Sequence, residues 1–75
     1  MTLRTTLAFN LRRLRSAAGL SQEELADRAN IDRTYVSALE RERYAATIDM
    51  IERLAAALHV SPLDLLHDAD AAAGE

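Results

Sequence analysis

Between residues 33 and 43 the chain carries Arg33, Thr34, Tyr35, Ser37, Arg41 and Arg43, six side chains that offer hydrogen bonds or positive charge. On a helix, Arg33, Thr34, Ser37 and Arg41 lie away from the side that holds Val36 and Leu39. A short helix with such a face suits the major groove of a nucleic-acid duplex, where the residues of its first two turns meet base edges. Arg can bond guanine through two parallel hydrogen bonds, and Thr can meet a polar edge or a thymine methyl. Arg33 and Thr34 are therefore the leading candidates for reading bases, and Ser37 stands one turn further along. Tyr35 can lay its ring on a base or sugar while its hydroxyl reaches a phosphate. Arg41 and Arg43, late in the helix and in the loop after it, suit backbone contacts whose strength falls with salt. The plainer readings keep Arg33 in solvent beside neighbouring acids and pack Tyr35 over the following loop.

Other chemistries find few residues to carry them. Cysteine is absent, which excludes disulfides and thiolate metal sites. No glycine-rich phosphate loop occurs, and Ser37 and His59 do not make a catalytic pair by coexisting. His59 falls where a helix ends, so a capping role is expected of it rather than metal ligation, and His67 has no second ligand near it in sequence. A chain of 75 residues forms one domain and seldom encloses a substrate-sized pocket. A binding module is expected, not an enzyme, with no cofactor, no metal and no small-molecule effector.

Charge distribution matters more than its total. The net value is −3, yet residues 1–20 hold four Arg and no acid, residues 21–43 four Arg against six acids, and residues 44–75 one Arg against six acids. A polarised chain can present a basic face to a polyanion despite an acidic total. The start, Met1 to Leu20, lacks the continuous apolar run of a signal peptide or membrane span, so a cytoplasmic protein with no membrane partner is expected.

The elements that must position these side chains are helices. Fifteen Ala and twelve Leu against two Gly and one Pro favour an all-α fold. Leu7, Leu11, Leu14 and Ala18 recur as one stripe of a first helix, roughly 5–18, with Gly19 after it able to take positive φ. Ser21 and Glu24 form a capping box, and Leu20 and Leu25 the hydrophobic staple that goes with it. The second helix runs to about Ala29, because Asn30, Ile31 and Asp32 supply a tight turn and a new N-cap. The third starts there, stapled by Ile31 and Val36. A loop around Arg43 to Ala46 leads to Thr47, the cap of a fourth helix whose stripe is Ile48, Ile51, Leu54, Ala55 and Leu58, ending at His59. Ser61, Pro62 and Asp64 open a fifth. The domain is read as residues 1–67. Residues 68–75, DADAAAGE, offer nothing to bury and are expected to fray.

Two short helices joined by a three-residue turn, the second polar on its outer face, form the arrangement of a helix-turn-helix DNA reader. The stretch GLSQEELADRANIDRTYVSALERER, followed by IDMIERLAAALHVSPLDLL, resembles the Cro/C1-type helix-turn-helix family over roughly residues 7–67. Gln22, Leu25, Ala26, Ala29, Ile31, Val36 and Leu39 fall where that motif wants a polar start to the first motif helix, a small residue at the helix crossing and an apolar core. Within the family, DRTYVSALERER is most similar to the controller proteins of restriction-modification systems. The resemblance implies a five-helix, lambda-repressor-like domain and double-stranded DNA as partner. It implies that Gln22 clamps a phosphate, helped by the helix terminus, with Thr47 in a like position at a later one. It further implies an internal ion pair between Arg15 and Glu40. Asn30, Glu42 and Tyr44 depart from residues common in relatives, and Glu42 is expected to set a negative charge near a phosphate.

A module that contacts a few base pairs gains selectivity by pairing, because a twofold dimer reads two half-sites about 34 Å apart. A homodimer on a roughly palindromic operator is therefore expected. Leu63 and Leu66 of the fifth helix are the leading interface candidates, with Ile48 and Met50 behind them. The rival readings are a phage-type repressor or antitoxin on the same fold, and a protein-interaction module that has kept the fold without binding DNA.

Overall fold

A computed structural model describes residues 2–68; most of the expected tail, residues 69–75, lies outside the described residues. Five helices follow one another: α1 (Leu3–Ala17), α2 (Gln22–Ala29), α3 (Arg33–Glu40), α4 (Ile48–Leu58) and α5 (Pro62–Leu66). No strand occurs among the described residues. Every helix begins at a side-chain cap predicted from sequence except α1. That helix starts at Leu3, two residues before the expected position, because the Thr2 hydroxyl accepts the Thr5 amide at 3.2 Å. It also stops before Ala18, which is its exposed C-cap and not part of the buried stripe.

The left-handed residues show how the chain reverses. Gly19 at φ 72 ends α1, Asn30 at φ 57 ends α2 and His59 at φ 57 ends α4. Glycine is at ease in this region; asparagine tolerates it and histidine adopts it at a cost. The end of α3 is the same motif with Glu42 at φ 60, the Glu42 amide donating to the Leu39 carbonyl and the Arg43 amide to that of Ala38.

One core unites all five helices. Leu11, Leu25, Val36, Leu39, Leu54 and Leu65 are fully buried, one or two from each helix. α1 packs against α3 and α5, α2 against α3 and α4, and α4 against α5. Asn10 is a polar residue inside this core, only 2% exposed. Its amide donates to the carbonyls of Leu65 and His67, both at 2.9 Å, and its own carbonyl accepts from Arg13 at 3.3 Å. A helix as short as α5 leaves most of its carbonyls without intrahelical partners, and from α1 Asn10 satisfies that of Leu65 together with that of the C-cap His67. It therefore fastens the last helix to the first.

The candidate interface leucines part company. Leu63 is 74% exposed, whereas Leu66 is half-buried, packed on the core and part of the wall of an open groove of about 240 Å³ shared with Leu3, Arg4, Leu7, Ala45, Ala46 and Ile51. Ile48 is exposed like Leu63, and Met50 packs on the core like Leu66.

Candidate nucleic-acid interface

α2 and α3 owe their relation to three residues. After Ala29, the left-handed Asn30 turns the chain, the Ile31 amide closes back on the Ala26 carbonyl at 3.0 Å, and Asp32 caps α3. Buried Ala26 and Ala29 face the neighbouring helices, so the two helices approach closely. Val36 and Leu39 are then locked into the core, and the opposite face of α3 must be outward.

Arg33 and Thr34 are exposed on that face, while Tyr35 and Ser37 are half-buried. Arg41, the C-cap of α3, and Arg43 in the following loop are exposed. The side chains of Arg33, Arg41 and Arg43 have no hydrogen bond or ion pair among the described residues. Arg33 thus has no acidic partner in contact, although its charge helps the Asp32 carboxyl stay ionised. The larger cause is the pair of hydrogen bonds from Thr34: amide and hydroxyl both reach Asp32 Oδ1 at 2.8 Å and hold the carboxyl below its usual pKa.

Tyr35 meets Tyr44 of the loop edge to face, ring centroids 4.9 Å apart and planes at 83°. The Tyr44 hydroxyl donates to that of Tyr35 at 3.5 Å, a weak bond that nevertheless raises the Tyr44 pKa. Tyr35 therefore packs over the loop and keeps its own O–H to donate outward. The two roles weighed for it from sequence are compatible.

Behind the face lies a buried carboxylate. Glu40 is 3% exposed and accepts from Arg15 twice, at 2.6 Å and 3.0 Å, in the side-by-side geometry that suits a guanidinium. The hydrogen bond from Arg15 to Glu40 raises the Arg15 pKa further. Arg15 also donates to the Leu20 carbonyl at 2.9 Å, and Arg12 donates to the Glu40 carbonyl at 2.9 Å. Gln22 completes the cluster, its amide donating to Glu40 Oε1 at 3.1 Å. Half-buried at the start of α2, Gln22 keeps one N–H for an outside acceptor. Glu23 and Glu24 place two carboxylates in that first turn, which tempers the attraction of the helix terminus for an anion. Glu24 is itself held below its ordinary pKa, first by the hydrogen bond from the Ser21 backbone amide. Thr47 caps α4, accepting from the Met50 amide at 3.1 Å, and its exposed hydroxyl retains a proton to donate.

The exposed Glu42 carboxylate accepts the Thr5 hydroxyl of α1. Met50 is half-buried and packs on the core, as Leu66 does. Two contributors escaped the sequence reading. Tyr44 lies nine residues from Tyr35, a separation with no local rule. Asn10 did leave a signal, a polar residue between Leu7 and Leu14 on an otherwise apolar stripe.

A capped helix pair with a three-residue turn, a core-anchored second helix and an unpaired basic, hydroxyl-bearing outer face define a helix-turn-helix protein. Comparison with known proteins agrees: the helix-turn-helix family matches residues 11–65, and the chain belongs to that family. A hypothetical transcription factor of Neisseria meningitidis serogroup B is 52% identical over 64 residues, covering 85% of this chain; the match spans 60% of that relative's length. The solved restriction-modification controller protein C.AhdI from Aeromonas hydrophila superposes with a TM-score of 0.80 at 40% identity, over 83% of this chain and 94% of that one. The controller C.Esp1396I, solved as a tetramer in complex with its natural 35 base-pair operator, gives a TM-score of 0.80 at 34% identity over 87% of this chain and 86% of that one. Variants of C.Esp1396I have been solved in which an arginine, a threonine and a tyrosine at consecutive positions are replaced. Arg33, Thr34 and Tyr35 have the same types in the same order. No helix among the described residues is long and apolar enough to cross a membrane, and their His, Asp and Glu side chains form no cluster of three or more that could hold a metal ion.

Proposed function

We propose that this chain is a sequence-specific DNA-binding transcriptional regulator of the restriction-modification controller kind. It acts in the cytoplasm, without catalysis, as a homodimer on a roughly palindromic operator. The observation that carries this reading is the unpartnered Arg33 beside Thr34 at the start of a helix whose other face is buried in the core. A side chain free of internal contacts on a rigid element can meet a base edge without breaking anything first. Arg33 and Thr34 read bases, with Ser37 and the Tyr35 ring beside them. Gln22, Thr47, Arg41, Arg43 and the Tyr35 hydroxyl hold phosphates and fix the register. That the related controller C.Esp1396I is solved in complex with its operator supports DNA as the partner.

Selection of bound sequences from random duplex DNA at two salt concentrations tests the reading. A palindromic site whose affinity falls with salt is expected. No enrichment at low salt, with the protein folded, would leave the protein-interaction module as the better account.

A further inference from the structure

Asp32 does more than cap α3. It holds the hydroxyl of Thr34 at 2.8 Å, and the same Oδ1 accepts the Thr34 amide. A carboxylate only accepts, so the proton in the hydroxyl contact belongs to threonine. The Thr34 oxygen then faces solvent with lone pairs and no hydrogen to give. We propose that Asp32 is a specificity-determining residue: by holding the Thr34 hydroxyl proton, it turns Thr34 into an acceptor that selects a base with an exocyclic amino group, adenine or cytosine. This inference rests on the DNA-reading face described above.

In the major groove adenine presents N6–H and cytosine N4–H as donors, whereas guanine presents O6 and N7 and thymine O4, all acceptors. A free threonine hydroxyl swings to suit either class. Here guanine or thymine would have to draw the proton away from an ionised partner. Hydrogen bonds to a charged acceptor are about twice as strong as neutral ones, so Asp32 wins that competition. An aspartate is ionised at neutral pH, and the hydrogen bonds from Thr34 favour that state further. Thr34 stands at the second position of a helix held by Val36 and Leu39, so the acceptor has a constant direction.

The test combines the intact protein with altered DNA and with variants. In the selected operator, Thr34→Val identifies the base pair that Thr34 reads. At that pair, replacing adenine by purine, or cytosine by its 4-deamino analogue, should lower wild-type affinity about three- to tenfold, the effect of losing one hydrogen bond. Asp32→Asn keeps an oxygen that can accept the hydroxyl but loses the charge that wins the competition, and should weaken the preference without abolishing it. Asp32→Gly frees the hydroxyl, is well tolerated as a helix cap, and should bring guanine or thymine at that pair within about twofold of the preferred base. Both variants remove a negative charge, so a uniform gain in affinity in both is separate from the change in preference. Thermal melting verifies that each variant is folded, and the base-analogue arm needs no variant. Selection of guanine or thymine at the Thr34 pair, indifference to the missing amino group, or equal broadening by Asn and Gly would each overturn the proposal while DNA reading stood. Absence of any selected duplex would remove the DNA reading itself.

Discussion

At the scale of single residues, bases and phosphates should be separable by experiment. Arg33→Ala should cost about 1–3 kcal/mol of binding and relax the preference at one base pair, as measured with a panel of single-base operator variants. Arg43→Ala should weaken all sequences alike and reduce the slope of log affinity against log salt by about 1. An Arg33 variant with unchanged preference would move base reading elsewhere on α3. Glu40 belongs to a different account, because it is 3% exposed and Arg15 depends on it. Glu40→Leu leaves a guanidinium without its carboxylate and should destabilise the fold by about 3 kcal/mol in urea titration, whereas adding Arg15→Met should recover part of the loss. A double variant no more stable than the single one would show that the ion pair is not the source of the effect. The pairing of Arg15 with Glu40 followed from resemblance. The third partner, Gln22, did not, since its contact exists only once α2 and α3 have been folded together.

At the scale of elements, the caps and turns were the most legible features. Ser21 with Glu24, Asp32, Thr47 and Ser61 with Asp64 each accept the amides expected of them. The reason is locality: a cap involves residues two or three apart and needs no knowledge of the rest of the fold. Thr2 is less legible because Leu3 beside it, one turn before Leu7, stays exposed and leaves the start of the buried stripe a turn later. Two consequences can be measured. Glu24 and Asp32 have folded-state pKa values below their ordinary ones, so their contribution is present above the unfolded carboxylate range and is lost as pH falls through the lowered values. Melting temperatures should drop from about pH 4 downward, near the ordinary carboxylate pKa, and Glu24→Gln with Asp32→Asn should flatten that acid limb. An acid limb of the same steepness in the double variant would assign it to other carboxylates. His59 adopts φ 57 at the end of α4, a conformation that glycine takes without strain. His59→Gly should stabilise the protein by about 0.5–1 kcal/mol, the relief of left-handed strain less the greater unfolded-state entropy of glycine. Calorimetry would check it, and a lower melting temperature would mean that the imidazole makes a contribution that outweighs the strain.

At the scale of the whole molecule, helix type, order and number were determined by the sequence alone, because apolar spacing and capping residues act over one or two turns. The helix-turn-helix unit was legible for the same reason: its three-residue turn and its staples are contiguous. What faces outward on α5 was decided only by tertiary packing. Leu63 and Leu66 lie three residues apart and look alike in sequence, yet Asn10 reaches across from α1 to the end of α5, with Leu63 left in solvent and Leu66 packed on the core. Leu63→Asp is consequently the clean test of dimerisation through α5. Sedimentation should show monomers with an unchanged melting curve, while Leu66→Asp should lower the melting temperature as well. A dimer that survives Leu63→Asp would shift the interface toward exposed Ile48 or Leu3. The same division holds at the reading face. Side-chain types, their helix and their outward direction were set by residues 32–43 alone. That Tyr35 rests on Tyr44, that Glu42 turns to Thr5 and that Glu40 gathers Arg15 and Gln22 required residues 9 to 37 positions apart to meet. Local rules act along one helix and its caps; contacts across the chain exist only after a common core has fixed where each helix lies.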